Sequence, residues 1–285
     1  MEKNIHSYID DHKGILIEED PFRPECLREA LKSTMFSKNI RLFESTDSTN
    51  RQAKDLCVTG APEGTLVLAE QQTEGRGRRG RTWQSPGRVN LLFSMVLRPP
   101  IQPERAFVLT MILALAAGDG VCDLCGLRPM IKWPNDLYVG GRKLAGILTE
   151  FSVRENRIEY MVLGMGLNVN WDPDENSDIL NPATSLMRET GHRINREALL
   201  VRIMKHFDES YKTLLSGKIM RFYRKWNDLS MVLGQEVEVE LEGKALRGTA
   251  RKIDKKGALI LRDAHGNDRE ILHGDVSLRA LGNHP

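Results

Sequence analysis

The sequence predicts an α+β protein, in which a mixed or antiparallel sheet carries flanking helices and a small β-domain follows. Three observations support this class. Strand-like and helical patterns alternate between residues 25 and 231, and the run AFVLTMILALAAG is apolar enough for a helix buried in a core. The last 50 residues alternate valine and leucine with glutamate and carry glycine turns, as small β-barrels and sandwiches do. We therefore expect an N-terminal extension over 1–24, a main domain over 25–231 and a small β-domain over 232–285.

The elements of the main domain follow from the spacing of apolar residues along the chain. Up to residue 124 the expected elements are a helix in ECLREALKSTMF, a strand in IRLFEST, a helix in DSTNRQAKDLCVTG, strands in GTLVLAEQ and VNLLFSMVLRP, and a buried helix over about 104–124. Asp47 and Ser48 are good caps for the second of these helices, and Gly60 is expected to end it. Residues 1–24 are polar and predict an irregular extension with a turn near EEDPFRPE.

After Pro129 the pattern predicts mainly strands. The expected elements are a strand in PMIKW, a hairpin with Gly140–Gly141 as its two-residue turn, and a further strand in RIEYMVLGMGLNVN. Helices are expected in SLMRETGHRINREALLVRIMKHFDESYKTLL, with a break at Gly191, and in IMRFYRKWNDLS. The composition changes near Met231–Gly234, where we expect the small β-domain to begin.

Composition and charge argue against several classes of protein. The net charge of +2 is too small for a general nucleic-acid or membrane binder, so a basic site is expected to be local. The acidic N-terminus lacks the apolar segment of a signal peptide, and the apolar run over 106–118 is too short for a membrane span of about 20 residues. The histidines lack the spacing of a metal site. We expect a soluble, cytoplasmic protein without a membrane partner.

The four cysteines are too few and too unevenly spaced for a disulfide framework. Cys122 and Cys125 form a C-x-x-C pair, but the sequence has no second pair that would complete a structural zinc site. We therefore expect buried or half-buried thiols rather than a redox or metal centre.

The stretch AEQQTEGRGRRGRTW has the glycine spacing G-x-G-x-x-G from Gly75 to Gly80, together with four arginines. A dinucleotide-binding turn must open a helix, and an acidic residue is expected about 20 positions later. Here Pro86 and Gly87 follow and that acidic residue is absent, so we reject the dinucleotide interpretation. We therefore interpret the stretch as a flexible cationic loop, whose arginines can bind phosphate and carboxylate oxygens. Taken alone, the loop also fits a solvated surface segment or a nucleic-acid patch, although no basic helix accompanies it.

A second group of polar residues lies in KWPNDLYVGGRKLAGILTE. Lys132 ends a strand and Pro134 starts a turn, which leaves Asn135 and Asp136 at a strand end where polar groups can face a pocket. After the hairpin, Lys143 precedes small residues that permit a ligand to approach the backbone closely. Each of these lysines, taken singly, also suits an ordinary surface.

Together the two segments closely resemble the biotin protein ligases. That family carries a GRGRxGR-x-W loop, matched at Gly75–Trp83, and a KWPND…xxRKxxGIL segment, matched at Lys132–Leu148. DSTN at Asp47–Asn50, QT just before the loop and GMGLNVN at Gly164–Asn170 match further family motifs in the same order. The resemblance covers roughly residues 27–280. It implies a catalytic domain like that of class II synthetases, over 25–231, and a C-terminal SH3-like β-barrel.

The resemblance also implies a role for each matched residue. The residues expected at biotin are Ser48, Thr49, Asn50, Gln72, Arg76, Gly77, Arg78, Lys143 and Gly146. The residues expected at ATP or the adenylate are Arg76, Arg78, Arg81, Trp83, Lys132, Asn135, Lys143 and Asn168, with Trp83 on the adenine side. The expected catalytic residues are Lys143, Arg78 and Asp136, and Asp136 is also the expected contact to Mg²⁺ near the phosphates. Arg79 occupies a position that varies in the family and is assigned no chemistry.

The implied reaction has two steps. The carboxylate of biotin attacks the α-phosphate of ATP and gives biotinoyl-5'-AMP and pyrophosphate, and a lysine amine of a biotin carboxyl carrier protein then displaces AMP. The first step brings anions together and therefore needs cationic side chains and Mg²⁺. The second needs an uncharged amine, for which Asp136 is the expected base and Lys132 the alternative helper. ATP and Mg²⁺ are co-substrates, and no tightly bound prosthetic group is expected.

Other functions stay open at this point. A lipoate or octanoate-type protein ligase resembles the same architecture and runs similar adenylate chemistry. A non-catalytic biotin-binding or regulatory module is a second alternative, although it needs no phosphate clamp. Some biotin ligases are also repressors with an N-terminal helix-turn-helix, but the roughly 40 residues before the first strand of the main domain show no such pattern, so we expect no specific DNA binding. A homodimer is possible, and the small β-domain could bind the acceptor, help to close the nucleotide site or stabilise the fold.

Overall fold

The computed structural model describes residues 7–9, 16–18, 21–84, 86–173, 182–241, 244–272 and 274–278. Near the N-terminus, strands β1 (Ser7–Ile9) and β2 (Leu16–Glu18) pair as an antiparallel two-stranded sheet. The expectation of a wholly irregular extension over 1–24 is therefore wrong for these segments, because the short β-forming runs SYI and LIE lie among the polar residues. The expected turn falls partly outside the described residues.

The main domain is built on a seven-stranded mixed sheet. Its first elements are α1 (Pro24–Ala30), β3 (Ile40–Thr46), α2 (Thr49–Val58), β4 (Leu66–Gln72), β5 (Leu91–Leu97) and α3 (Phe107–Cys125). Then follow β6 (Met130–Lys132), β7 (Asp136–Val139), β8 (Arg142–Arg154), β9 (Arg157–Leu167), α4 (Leu186–Thr190), α5 (Arg196–Leu215) and α6 (Met220–Leu229). The strand order is β3-β4-β5-β9-β8-β7-β6, in which only β3 and β4 run parallel. The predicted mixed sheet with flanking helices is confirmed.

The first helix is shorter than the sequence predicts. The apolar spacing predicts a helix over 25–36, whereas α1 ends at Ala30. Thr34 donates its hydroxyl to the carbonyl of Leu31 and accepts from the backbone N–H of Phe36, so its side chain competes with the helical ladder. The Met35 N–H is drawn to the carboxylate of Asp208 on α5, a tertiary contact that the local pattern does not contain.

Helix α3 forms the centre of the core. Residues Pro103–Cys125, counted with the turn before α3, are long and apolar enough by length and composition to cross a membrane, and they are the only such helix in the described part of the chain. The helix is longer than the apolar run used for the prediction, but most of its length is buried between the sheet and α5. Its apolar composition on all sides is therefore that of a buried core helix.

The cysteines differ partly from expectation. Of the Cys122 and Cys125 pair, Cys125 is half-buried, as expected, whereas Cys122 is exposed. Of the other two cysteines, Cys57 is buried and Cys26 is exposed. Burial raises the pKa of the Cys57 thiol to about 11. The prediction of buried thiols is wrong for Cys122 because this residue lies on the solvent side of the last turn of α3, where the apolar run has ended.

The C-terminal residues form a separate five-stranded antiparallel sheet. Its strands are β10 (Glu236–Leu241), β11 (Lys244–Ile253), β12 (Leu259–Arg262), β13 (Asp268–Ile271) and β14 (Asp275–Leu278), in the order β13-β12-β11-β10-β14. The inward residues of β10, Val237 and Val239, are fully buried, whereas its glutamates face outward. The expected small β-domain is confirmed as a fold, and the exact domain limits stay a prediction.

The turn between β11 and β12 attaches this sheet to the main domain. The buried indole of Trp133 donates to the carbonyl of Gly257 at 2.9 Å, and the hydroxyl of Tyr223 donates to the carbonyl of Lys255 at 2.7 Å. Gly257 has φ +88°, and a Cβ there would lie 2.1 Å from the ring of Phe107. Only glycine therefore fits between these aromatic side chains, and the C-terminal sheet is held beside the end of β6.

Candidate active site

A cavity of about 640 Å³ lies where β4 ends and β7 and β8 begin, with one wall from the C-terminal sheet. Every residue that the sequence placed at biotin, ATP or Mg²⁺ lines it: Ser48, Thr49, Asn50, Gln72, Arg76, Gly77, Arg78, Arg81, Trp83, Lys132, Asn135, Asp136, Lys143, Gly146 and Asn168. Arg79, which was assigned no chemistry, is exposed and is not among the lining residues. The fold thus brings together residues that lie up to 120 positions apart in sequence.

The arginine loop (Gly75–Trp83) folds back on itself and opens no helix. The N–H of Gly77 donates to the carbonyl of Arg81 at 2.7 Å, and that of Trp83 donates to the carbonyl of Gly75 at 2.9 Å. A Cβ at Gly75 would lie 2.4 Å from the carbonyl oxygen of Trp83, so glycine is needed for this close approach. The tip is a single 3₁₀ turn with Arg79 at φ 56°. This geometry agrees with the rejection of a dinucleotide-binding turn.

The glycine floor, formed by Gly146 on β8 and Gly166 on β9, lies beneath the loop. These two glycines are direct register partners in the sheet. The indole of Trp83 lies on them: a Cβ at Gly166 would be 2.4 Å from its Cε2 atom, and one at Gly146 would be 3.2 Å from its Cζ3 atom. The amine of Lys143 is 5.8 Å from the centre of the same ring. A flat aromatic group can therefore lie directly against the backbone at this place.

Lys143 and Asp136 form an ion pair at the edge of the floor. The Lys143 Nζ atom is 2.7 Å from Oδ2 of Asp136, and the side chains are 26% and 20% exposed. The backbone of Lys143 is fixed from its outer side, since its N–H donates to the carbonyl of Pro182 and its carbonyl accepts from the N–H of Thr184. Arg78 reaches the same region from the loop and donates to Oδ1 of Asn135 at 3.3 Å.

The cavity is strongly cationic. Its lining includes five basic side chains: Arg76, Arg78, Arg81, Lys132 and Lys143. In the described part of the chain two carboxylates line it, those of Asp136 and Glu240, and Asp136 is already paired with Lys143. An excess of positive charge in a partly enclosed cavity attracts anionic ligands such as carboxylates and phosphates.

Polar side chains at the start of α2 form the opposite end of the cavity. The Oε1 atom of Gln72 accepts from the N–H and the hydroxyl of Thr49, at 2.8 and 3.1 Å, which fixes the orientation of the Gln72 amide. The amide of Asn50 donates to the carbonyl of Leu148 and to Glu150, and its oxygen is 2.7 Å from the hydroxyl of Ser94. Asn50 therefore also ties α2 to the sheet.

Capping at this end differs in detail from the expectation. Ser48 is the N-cap of α2 by position, but its side chain makes no capping hydrogen bond. Asp47 instead accepts from the N–H of Ser48 and pairs with Arg51. Ser48 is buried and lines the cavity, so its hydroxyl belongs to the cavity wall and not to the helix.

Four buried polar atoms of the cavity lack a hydrogen-bond partner among the described residues: Trp83 Nε1, Asp136 Oδ1, Tyr138 Oη and Asn168 Oδ1. Buried polar groups are nearly always paired in proteins, so unpaired ones that line a cavity indicate a polar ligand. Burial, together with the negative charge of Asp136, raises the pKa of Tyr138, which keeps its hydroxyl protonated and able to donate.

Tyr138 and the C-terminal residues Glu240, Val276 and Ser277 line the cavity but were not anticipated from the sequence. Alternation along β7 could have identified Tyr138, because it lies two residues after Asp136 and so shares its face of the sheet. For the three C-terminal residues the sequence gives no signal, since their place depends on how the second sheet packs against the main domain.

The comparisons with known proteins agree with this architecture. Residues 42–168 match the Biotin/lipoate A/B protein ligase family, and residues 232–279 match the Biotin protein ligase C terminal domain. The chain is 32% identical to the bifunctional ligase/repressor BirA of Bacillus subtilis over 253 residues, which cover 88% of this chain and 78% of that protein.

Two further relatives extend the comparison. The chain is 34% identical to a biotin–[acetyl-CoA-carboxylase] ligase of Paracoccus denitrificans, over 79% of this chain and 95% of that one. The solved structure of a biotin protein ligase from Aquifex aeolicus in complex with biotin and ATP superimposes with a TM-score of 0.72 at 30% identity. That superposition covers 85% of this chain and 99% of the Aquifex chain.

Proposed function

The chain belongs to the biotin protein ligase family, and from this premise we propose that it activates biotin as biotinoyl-5'-AMP and transfers the biotinoyl group to a lysine of a biotin carboxyl carrier protein. The observation that carries the proposal is the Lys143–Asp136 pair, which lies between a cationic loop and the glycine floor in one cavity. The reaction is a ligation that consumes ATP and releases AMP.

In the first step, the cavity must hold two anions against each other. We assign Lys143 to the carboxylate of biotin and to the α-phosphate, where its charge opposes the charge that develops in the transition state. Arg78, which reaches Asn135, belongs to the loop that covers the adenylate. Ser48, Thr49, Asn50 and Gln72 are assigned to the ureido ring of biotin, because they supply uncharged donors and acceptors at the other end of the cavity.

Magnesium fits this site as a companion of ATP. The described residues contain no group of three or more histidine, cysteine, aspartate or glutamate side chains that could hold a metal by themselves. Asp136 offers a buried oxygen, Oδ1, without a partner in the described structure, and Mg²⁺ is commonly held by one or two carboxylates plus phosphate oxygens. When bound, the ion would neutralise charge on the phosphates.

In the second step, a lysine of the carrier must lose a proton before it attacks the adenylate. The amine of an exposed lysine titrates near about 10.4, so a neighbouring base is useful at neutral pH. We assign this role to Asp136, with Lys132 as the alternative helper through its charge. The covering loop would protect the adenylate from water until the carrier arrives.

The first experiment is biotin-dependent exchange of labelled pyrophosphate into ATP with Mg²⁺, with lipoate and octanoate as controls. Of the three acids, only biotin is expected to support exchange. The biotinoyl group should then be transferred to a carrier domain. Exchange only with lipoate or octanoate would place the chain with the ligases of those acids. Absence of exchange with all three acids would contradict the catalytic proposal and leave a biotin-binding module.

Three further predictions concern partners and location. We propose that the chain acts without specific DNA binding, although a relative is named as a repressor; a sequence-specific gel shift would contradict this. Sedimentation would measure whether the chain forms a homodimer. The burial of α3 is that of a core helix and not of a membrane-spanning one, and we propose a cytoplasmic location without a membrane partner.

A further inference from the structure

The C-terminal sheet contributes a carboxylate to a cavity that is otherwise basic. Glu240, on β10, lines the cavity together with Val276 and Ser277 of β14. Five basic side chains line the same cavity, and the only other carboxylate that the described residues contribute to its lining, that of Asp136, is paired with Lys143 at 2.7 Å. Among the described residues, Glu240 is therefore the one acidic side chain of this lining that is not paired with Lys143.

Cross-strand pairing explains why Glu240 differs from its neighbours. Glu236, Glu238 and Glu240 share one face of β10 and lie opposite Thr249, Arg247 and Ala245 of β11, respectively. The hydroxyl of Thr249 donates to Glu236 at 2.5 Å, and Arg247 donates to Glu238 at 2.7 Å. Alanine offers no donor. Among the described residues, the exposed carboxylate of Glu240 accordingly has no hydrogen bond or ion pair.

The position of Glu240 is set by firm contacts between the two sheets. The indole N–H of Trp133 donates a hydrogen bond to the carbonyl of Gly257, and the hydroxyl of Tyr223 donates one to the carbonyl of Lys255. The chain that enters β10 is also fixed, because the N–H of Met231 donates to the carbonyl of Ile131 at 3.0 Å. Lys132 and Trp133, which follow Ile131, line the cavity themselves. The strand that carries Glu240 therefore has a fixed place beside the cavity.

We propose that Glu240 is a positioning residue that receives the ammonium group of the incoming carrier lysine. This inference rests on the proposed function. Biotin and ATP are anions, which the basic lining attracts. The carrier lysine arrives as a cation, which the same lining repels. A carboxylate on the second sheet attracts this cation at the point where it enters.

The chemistry of the transfer is unchanged by this role. The ammonium loses a proton to the base or to solvent, and the amine nitrogen then forms a bond to the acyl carbon of the adenylate. The nitrogen loses a second proton to the base or to solvent, the bond from that carbon to the phosphate oxygen breaks, and AMP leaves with the electron pair. Glu240 guides the cation and takes no part in bond formation.

The test separates the two half-reactions in the full-length chain. Glu240→Gln is expected to raise the KM for the carrier domain about tenfold, since a favourable charge at the entrance is lost. Biotin-dependent pyrophosphate exchange is expected to stay within about twofold of the unmodified chain, because its substrates are anionic. Glu236→Gln, on the same face of the same strand but outside the cavity lining, is the matched control and should change neither reaction. Glu240→Asp should restore part of the loss.

A neutral nucleophile supplies the decisive readout. Hydroxylamine is largely uncharged near neutral pH and converts the adenylate into biotin hydroxamate and AMP. Its rate should be the same in Glu240→Gln and in the unmodified chain. Equal loss with hydroxylamine and with the carrier, a parallel loss of exchange, or a carrier KM that does not move would each overturn the proposal. Failure of the unmodified chain to catalyse exchange would instead overturn the proposed function.

Discussion

Two walls of the cavity carry positive charge in different ways. Lys143 lies on a paired strand, is 26% exposed and is held by an ion pair and by backbone bonds on both of its peptide groups. Arg76 lies on the arginine loop, is 47% exposed and belongs to a segment fixed mainly by hydrogen bonds to itself. The difference indicates a division of labour. On the proposed function, we expect the strand to supply charge whose position must be accurate and the loop to supply charge that moves to admit and cover the ligand.

The largest effect is expected when the positive charge of Lys143 on the strand is removed. Lys143→Ala should lower biotin-dependent pyrophosphate exchange about 100- to 1,000-fold, because a preorganised contact to the reacting anions is lost. Exchange kinetics at saturating ATP would measure this loss. Lys205→Ala, at an exposed position of α5, is the matched control. A Lys143→Ala variant with nearly full exchange would show that the strand wall is not the catalytic one.

Removal of a mobile charge should have a smaller and different effect. Arg78→Ala is expected to slow exchange about tenfold, since Arg76 and Arg81 of the same loop remain in the cavity. Retention of the adenylate should suffer more than its formation, because the loop covers it. Release of biotinoyl-AMP from a preformed complex, followed after gel filtration, would show this. Equal losses in formation and retention would contradict the proposed division.

A substitution in the glycine floor should affect the arginine loop and the strand wall together. A Cβ from Gly166→Ala would lie 2.4 Å from the indole of Trp83 and should displace the loop residue without altering any charge. We expect the KM for ATP to rise severalfold, to about tenfold, with little change in the free energy of unfolding, since the exposed loop can move aside. Gly118→Ala, where no atom lies within 4 Å of the new Cβ, is the control. An unchanged KM would show that Trp83 need not rest on the floor.

The smallest effect is expected at the tip of the loop. Arg79 is exposed, has φ 56° and does not line the cavity, although it is charged like its neighbours. Arg79→Ala should change exchange by less than about twofold, in contrast to Arg78→Ala, because its side chain does not line the cavity. The two variants, measured side by side, test whether position or total charge matters in this loop. Similar losses in both would favour total charge.

The sequence was most informative where a function is carried by a continuous motif. The loop, the hairpin at Gly140–Gly141 and the residues around Asp136 and Lys143 could be identified because each depends on local spacing, and the fold brings them to one cavity. The end of α1 could not, since a side chain of α5 decides it. The place of Glu240 in the cavity could not be predicted either, because the alternating pattern of its strand indicates only that the residue faces outward. Its placement depends on the contact between Trp133 and Gly257.

The distribution of the four tryptophans gives the cavity an internal optical reporter. Trp226 is fully buried in the core and does not line the cavity, so its emission should respond little to a ligand, whereas Trp133 lines the cavity from a buried position at 1% exposure. Trp83 and Trp171 both line the cavity and are only partly shielded from solvent. Their emission wavelength depends on the polarity of their surroundings, and the arrival of a ligand changes that polarity. Binding and loop closure should therefore be visible as a time-resolved fluorescence signal in the unlabelled protein.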